Sequence, residues 1–378
     1  GEGIDELKAA LVELCGGIQL PETLPLFRLA IDRVFSITGH GTVVTGSVLS
    51  GDVHVGDQLE LWPEGREVRV RSVERHGEDT HEAGSRQRTA INLAGLKQDD
   101  VSRGFELATC GYLKPTRRLL VDLRVLSSSP MPLKNRLEVS LHLGTREVQA
   151  RVIVKDGPLE AGQQGFAELR LSEPVVAAWG QRFILRRISP AVTVGGGRVL
   201  DPAIPDLRRI RDVADLATRL GNPDPAERLS VRLAQQDWID TSDLTVASAI
   251  GAMPDEVRSL LDELRASRTI LRVGSGDRTF EIHSDRLEAL AKSALRTITN
   301  EVVRHQPRRS LPKPTLLTAC RGISALNILE GVFQHLIQKK QIIQIGGNLG
   351  PADLQVQLTK QQRKALEEVL RQFGESGA

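Results

Sequence analysis

Aromatic side chains are scarce in this chain of 378 residues, with 3 Trp, 1 Tyr and 8 Phe. A surface that holds nucleic acid mainly by stacking bases on rings needs more of them, so that device is excluded as the principal one. Cysteine is nearly absent: Cys15, Cys110 and Cys320 lie far apart and are odd in number. No CxxC pair or Cys/His cluster occurs, so neither a zinc-ligand pattern nor a disulfide framework is expected, and a reducing cytoplasm fits. An excess of one charge is missing too. Lys and Arg total 50 against 48 Asp and Glu, a formal net charge of +2. Any contact with a polyanion must therefore come from local arginine placement. There is no leader segment and no apolar run long enough to span a bilayer, so no membrane partner is expected. The phosphate loop GxxxxGK[ST] and the guanine-reading Asn-Lys-x-Asp are both lacking. Without those backbone amides and that lysine, nothing in the chain cradles a triphosphate or its magnesium, and no GTP hydrolysis is expected of it alone.

What is present reads as ordinary globular protein, 40% hydrophobic and 26% charged, long enough for two to four domains. Ile4, Leu7, Leu11 and Leu14 repeat at helical spacing, and Gly16-Gly17 ends that helix. Pro21 and Pro25 stiffen the connector after it. Residues 31–57 then alternate apolar and polar side chains. They break at Gly39-His40-Gly41, resume as Thr42-Val43-Val44-Thr45-Gly46, and turn at Ser50-Gly51 and Gly56-Asp57. Short β-rich runs with Gly and Asp punctuation describe a small antiparallel barrel, from about Leu26 to Leu113. After Lys114-Pro115 the alternation returns in Leu137–Leu143 and Ala167–Leu171. It closes with Arg182–Arg187 and Thr193–Pro202, which makes a second barrel or sandwich.

Past Asp201-Pro202 the period changes from 2 to 3.6. Val257, Leu260, Leu261 and Leu264 form a helical stripe, followed by a strand at Ile270, Leu271 and Val273. A turn at Gly274-Ser275-Gly276-Asp277 leads to a return strand through Phe280 and Ile282. The pattern recurs 72 positions on, from Ile270 to Ile342. Leu329, Val332, Phe333 and Leu336 make the second stripe, and Gly346-Gly347-Asn348 the second turn. Tandem units of helix, helix and hairpin are what winged-helix repeats look like. Leu358 to Phe373 begins a further amphipathic helix.

The run Ile31–Asp57 resembles the second domain of translational GTPases, and Asp32-Arg33 at its start is most similar to the selenocysteine-specific elongation factors of bacteria. The ending Gly195–Pro202 resembles the close of the third domain of that family, and the helical tail matches its C-terminal winged helices in place and kind. The fold class expected is mixed: two consecutive antiparallel β-barrels, then tandem winged-helix α+β domains. The resemblance divides the chain into a terminal helix and connector from an absent G domain (1–25), two barrels (26–113 and 114–203), two winged helices (206–285 and 286–352) and the start of another (353–378). It implies that the intact protein uses GTP and magnesium in that G domain. It further implies delivery of selenocysteinyl-tRNA to the ribosome at recoded UGA codons. The hairpin in the messenger RNA would bind through winged helices mostly absent here, all in the cytoplasm.

The resemblance also implies a pocket for the aminoacyl group on the first barrel, at Asp32, Arg33 and Arg88. A selenol is more acidic than a thiol or a hydroxyl, so selenocysteine is anionic at neutral pH. Two guanidiniums attract that anion and stay charged, while a carboxylate holds them in register or accepts from the α-amino group. One desolvated arginine contact of this kind favours the anion over serine on the order of a hundredfold. From the residues alone, Asp32-Arg33 reads first as a solvated ion pair at a strand edge, and the resemblance reverses that preference. His40, His54, His76 and His81 show no metal spacing and read as turn or surface residues. In the second barrel Arg182, Arg186 and Arg198 are candidate contacts to tRNA phosphates, or a solvated face. Arg187 follows Arg186 directly, so regular alternation sends the two to opposite faces. Arg308-Arg309, Lys313 and Lys339-Lys340 read as solvated clusters on a spacer. The alternative class is a tandem winged-helix DNA-binding regulator with a barrel sensor; near-neutral charge and the lack of a strongly basic recognition helix count against it.

Overall fold

The computed structural model describes residues 2–17, 24–37, 41–155, 157–202, 204, 210, 212–236, 243–275, 278–355 and 360–375. Pro21, Gly39, His40, Gly276, Asp277 and Leu358, singled out above, lie outside the described residues. The chain forms two compact units, one of residues 1–217 with 244–254, the other of 218–243 with 255–378.

The first unit opens with α1 (Ile4–Gly17), whose stripe of Ile4, Leu7, Leu11 and Leu14 stands exposed. Alternation then builds β1 (Arg28–Ile37), β2 (Gly41–Ser50), β3 (Asp52–His54), β4 (Gln58–Trp62) and β5 (Arg66–Arg75). There follow β6 (Glu78–Thr80), β7 (Glu82–Gly84), β8 (Arg88–Leu93) and β9 (Glu106–Thr109). The order β4-β9-β1-β2-β8-β5 closes on itself through antiparallel β4–β5 pairing, while β6 extends β5 and β3 pairs with β7. One face of each strand lines the interior, where Leu29, Ile31, Val44, Leu61, Val73, Ile91 and Leu107 are fully buried.

The second barrel repeats the plan with β10 (Pro115–Val125), β11 (Glu138–Leu143), β12 (Arg146–Ile153), β13 (Gln164–Val176), β14 (Arg182–Arg186) and β15 (Thr193–Asp201). These close in the order β10-β13-β12-β11-β14-β15. Leu119, Val121, Leu123, Leu141, Leu169 and Leu185 fill it. The two barrels meet along a seam where buried Arg28 pairs with Glu106 and donates to Gln181 Oε1 at 2.9 Å. Past the barrels come α2 (Val213–Leu220), α3 (Pro225–Ala234) and α4 (Asp243–Ile250). Residues Leu244–Pro254 belong to the barrels' unit: Trp179 N donates to Ser248 O at 2.8 Å.

In the second unit α5 (Pro254–Ala266) precedes the hairpin β16 (Ile270–Ser275) and β17 (Arg278–His283). The expected turn thus begins later than Gly274, because Gly274 and Ser275 pair with Thr279 and Arg278 and prolong the strands. Then α6 (Ser284–Arg304), β18 (Leu311–Pro312), α7 (Lys313–Ala319), α8 (Leu326–Gln338), β19 (Ile342–Ile345) and β20 (Asn348–Pro351) follow. Helix, strand, two helices and a hairpin, with the sheet ordered β18-β20-β19, is the winged-helix plan. The predicted stripe of Leu329, Val332, Phe333 and Leu336 is buried against Leu290, Ala294 and Ile298 of α6. Last comes α9 (Lys360–Glu375), with Leu366, Val369 and Leu370 exposed.

Candidate functional site

The site begins with an irregularity in β1. Its partners on β2 run Ile31↔Gly46 and then Arg33↔Thr45, so Asp32 is an extra residue, a β-bulge. Side chains of Phe27, Leu29 and Ile31 point inward at period 2, and the next to join the core is Val34. Asp32 and Arg33, adjacent in sequence, therefore both face outward, which an unbroken strand forbids. Gly46 permits the bulge: a Cβ there would stand 2.2 Å from Ala30 O and 2.7 Å from Leu29 Cδ2.

Two strands away on the same face, Arg88 opens β8 and its guanidinium grips the carboxylate of Asp32 with both arms. Nη1 donates to Oδ2, and Nη2 to Oδ1 at 3.0 Å. Between them on β2, Thr45 Oγ1 also donates to Asp32 Oδ1 at 3.0 Å. Partial burial works against the charge of Asp32. The hydrogen bonds from Arg88 and Thr45 and the nearby charges of Arg88 and Arg33 outweigh it, holding the carboxyl below the usual carboxylate range. Arg33 is exposed and close enough to act on Asp32 through space. The predicted residues Asp32, Arg33 and Arg88 thus gather on one face of one barrel, as one carboxylate and two guanidiniums with a net charge of +1. Thr45 is a member that residue type alone did not mark.

In the second barrel Arg182 and Arg186 share the outward face of β14 but line separate depressions. Arg182 pairs across strands with Arg198, and both border a cavity of about 420 Å³ with Arg124, Asp122 and Trp179. Arg198 Nε reaches Asp122 Oδ2 at 3.4 Å, and its guanidinium stands 5.9 Å from the Trp179 ring centroid. Arg186 borders a second cavity of about 490 Å³ with His142, Glu147, Ser172 and Glu173. Arg187 lines that cavity too, contrary to the expected split. β14 ends at Arg186 after a register shift at Leu185/Arg186, so strand alternation does not extend to Arg187. Of the basic clusters in the second unit, Lys339 is tied to Glu288 at 2.5 Å beside His335. Among the described residues no group of three or more His, Cys, Asp or Glu side chains is placed to hold a metal ion. No described helix is long and apolar enough to cross a membrane.

Residues 41–108 match the family described as elongation factor Tu domain 2, and residues 120–206 that described as the beta-barrel domain of selenocysteine-specific elongation factor. The selenocysteine-specific elongation factor of Desulfomicrobium baculatum is 34% identical over 350 residues, 91% of this chain and 54% of that protein. Its counterpart in Haemophilus influenzae is 32% identical over 62% of this chain and 36% of its own length. That of Escherichia coli is 32% identical over 70% of this chain and 41% of its own. The chain spans about half the length of the first relative and less of the other two. These likenesses support the translational reading of the sequence and not the DNA-binding regulator.

Proposed function

This chain belongs to the family of selenocysteine-specific elongation factors, and we propose from that premise that its first barrel receives the aminoacyl end of selenocysteinyl-tRNA. Arg33 and Arg88 attract the selenolate, and Asp32 keeps Arg88 in register and accepts from the α-ammonium. The reading rests on one observation: a bulge turns Asp32 and Arg33 to the same face, where Arg88 holds the carboxylate bidentately. Guanidinium is charged at any physiological pH, so the pocket presents fixed positive charge to an anion and little attraction to a neutral hydroxyl. Asp32 shares Arg88 with the incoming anion, which limits attraction for stray anions in the empty pocket.

On the same reading, Arg182, Arg186 and Arg198 contact phosphates of the tRNA without reading its sequence. The whole protein delivers the charged tRNA to the ribosome in the cytoplasm, guided by a hairpin in the messenger RNA. GTP and magnesium act in a part of the relatives' length outside this chain, since the motifs that cradle them do not occur in it.

The test measures binding of selenocysteinyl-tRNA and seryl-tRNA, built on the same tRNA body, to the full-length protein with a GTP analogue. Arg33→Ala and Arg88→Ala are each expected to weaken the selenocysteinyl form on the order of a hundredfold and the seryl form only slightly. Equal losses for the two tRNAs would reject charge reading.

A further inference from the structure

We propose that Thr145, in the second barrel, is a positioning residue for the pocket on the first, and that it tunes selectivity by fixing the Ile31–Asp32 peptide. The proposal rests on the reading of Asp32, Arg33 and Arg88 given above. β11 and β12 are joined by a two-residue turn, Gly144-Thr145, between the paired residues Leu143 and Arg146. Gly144 supplies the positive φ of +58° that such a turn requires. The turn projects onto the first barrel, where a Cβ on Gly144 would be 3.4 Å from the Ala30 Cβ. There Thr145 Oγ1 donates to the carbonyl oxygen of Ile31 at 2.7 Å.

That oxygen has a second donor, Gly104 N at 3.0 Å, while Ile31 N donates to Phe105 O at 2.9 Å. Each barrel thus supplies one of the two donors to this carbonyl. The carbonyl oxygen of Ile31 lies in one rigid plane with the nitrogen and Cα of Asp32. Fixing the oxygen fixes the direction from which the Asp32 side chain departs. This matters at a bulge, because the extra residue is the one the ladder leaves unpaired. The surroundings leave little slack: the cavity bordered by Ala30, Gly104, Phe105 and Thr145 holds only about 20 Å³. The carboxylate that orders Arg88 is therefore aimed by a hydroxyl from the other barrel. Loss of that hydroxyl rotates the plane and loosens the bidentate grip without altering any charge in the pocket.

A bond that merely joined the barrels would lower affinity for every charged tRNA alike. Thr145→Val removes the hydroxyl at nearly constant shape. In the full-length protein with a GTP analogue it is expected to weaken selenocysteinyl-tRNA about fivefold and seryl-tRNA less than about twofold. Thr145→Ala, which cannot overpack, gives the same pattern, and Thr145→Ser restores the parent ratio. In an Arg88→Ala background Thr145→Val changes the ratio no further, since the two act on one contact. Gln181→Leu, at the other strut of the seam, leaves the ratio unchanged. Equal losses for both tRNAs, additivity with Arg88→Ala, or failure of the serine variant to restore the ratio overturns the proposal. If Arg33→Ala and Arg88→Ala themselves leave the ratio unmoved, the pocket reading falls and this proposal with it. If they move it and the Thr145 variants do not, only the positioning role fails.

Discussion

In the first barrel the carboxylate of Asp32, 24% exposed, sits between Arg88 and Arg33; in the second that of Glu168, wholly buried, sits between Arg170 and Arg118. Both are gripped by two arms of one arginine, Arg170 using Nε at 2.8 Å and Nη2 at 3.0 Å. The inventory is the same and the accessibility opposite. Glu168 and Arg170 reach a common face by ordinary alternation, two residues apart on β13. Arg170 also faces Arg118 on β10 and Arg151 on β12 across the sheet, three like charges in one rung. Such a row is unfavourable without a counter-ion, so Glu168 serves the barrel itself. Asp32 and Arg33 share a face only because the strand slips, and their carboxylate remains within reach of a ligand. A carboxylate between two arginines thus signals neither a site nor a strut until its exposure is known.

The contrast is broken most directly by neutralising each carboxylate in turn. Glu168→Gln removes the carboxylate that Arg118 and Arg170 share, leaving the rung only Glu138 on Arg151, and is expected to destabilise the protein by about 3 kcal/mol, read as a fall in the urea midpoint. That is the low end for a buried pair, because Arg118 and Arg170 keep roughly a third of their side-chain surface in water. Asp32→Asn is expected to move the midpoint far less and the tRNA ratio far more. A reversal of that order would mean the two clusters have been assigned the wrong way round.

A smaller effect sharpens the role of the slip. Gly46→Ala forces a Cβ toward Ala30 O and Leu29 Cδ2, and strain of this kind costs about 1–3 kcal/mol. Because Gly46 faces the bulge, selectivity between the two tRNAs should fall along with stability. An alanine variant that lost stability yet kept full selectivity would detach the pocket from the bulge.

The smallest effect separates fixed charge from titratable polarity. In the second unit His283 is buried, accepts from Asp285 N through Nδ1 at 3.2 Å to cap α6, and meets Ser230 Oγ through Nε2. Burial lowers its pKa, Asp285 opposes this, and Arg219 adds to it. A histidine with a depressed folded value contributes stability that is complete above its ordinary pKa and lost as pH falls through the folded one. Thermal melts from pH 8 to 5 should therefore show this unit weakening on acidification by about 1 kcal/mol, the worth of a helix cap. Asp32, held below the usual carboxylate range, stays charged throughout that window. His283→Asn keeps a capping side chain and should flatten the profile; an unchanged slope would remove His283 as its cause.

Much of this architecture is legible in the residues. Period 2 marks both barrels and period 3.6 the helical tail, since burying one face of a strand or helix requires it. The cluster of Asp32, Arg33 and Arg88 is another matter. Adjacent charged residues such as Asp32 and Arg33 belong on opposite faces of a regular strand, and only the family likeness brought them together on paper. The extra residue leaves no residue-type signature beyond Gly46, one glycine among 34. Glu168 reads as one polar position in a clean alternation, because full burial of an outward carboxylate depends on Arg170 two residues along and on Arg118 from a neighbouring strand. Arg187 defeated the alternation rule for the reverse reason: the strand had already ended.

The bulge leaves Asp32 as the one position of β1 that the hydrophobic register does not count. Take it away and Ile31, Arg33 and Val34 fall into unbroken in-out-in order, with every interior contact still available. The carboxylate proposed for recognition thus rides on a supernumerary residue. Its chemistry can be rewritten without renegotiating the interior, a freedom that Glu168, sealed beneath its own arginines, does not have.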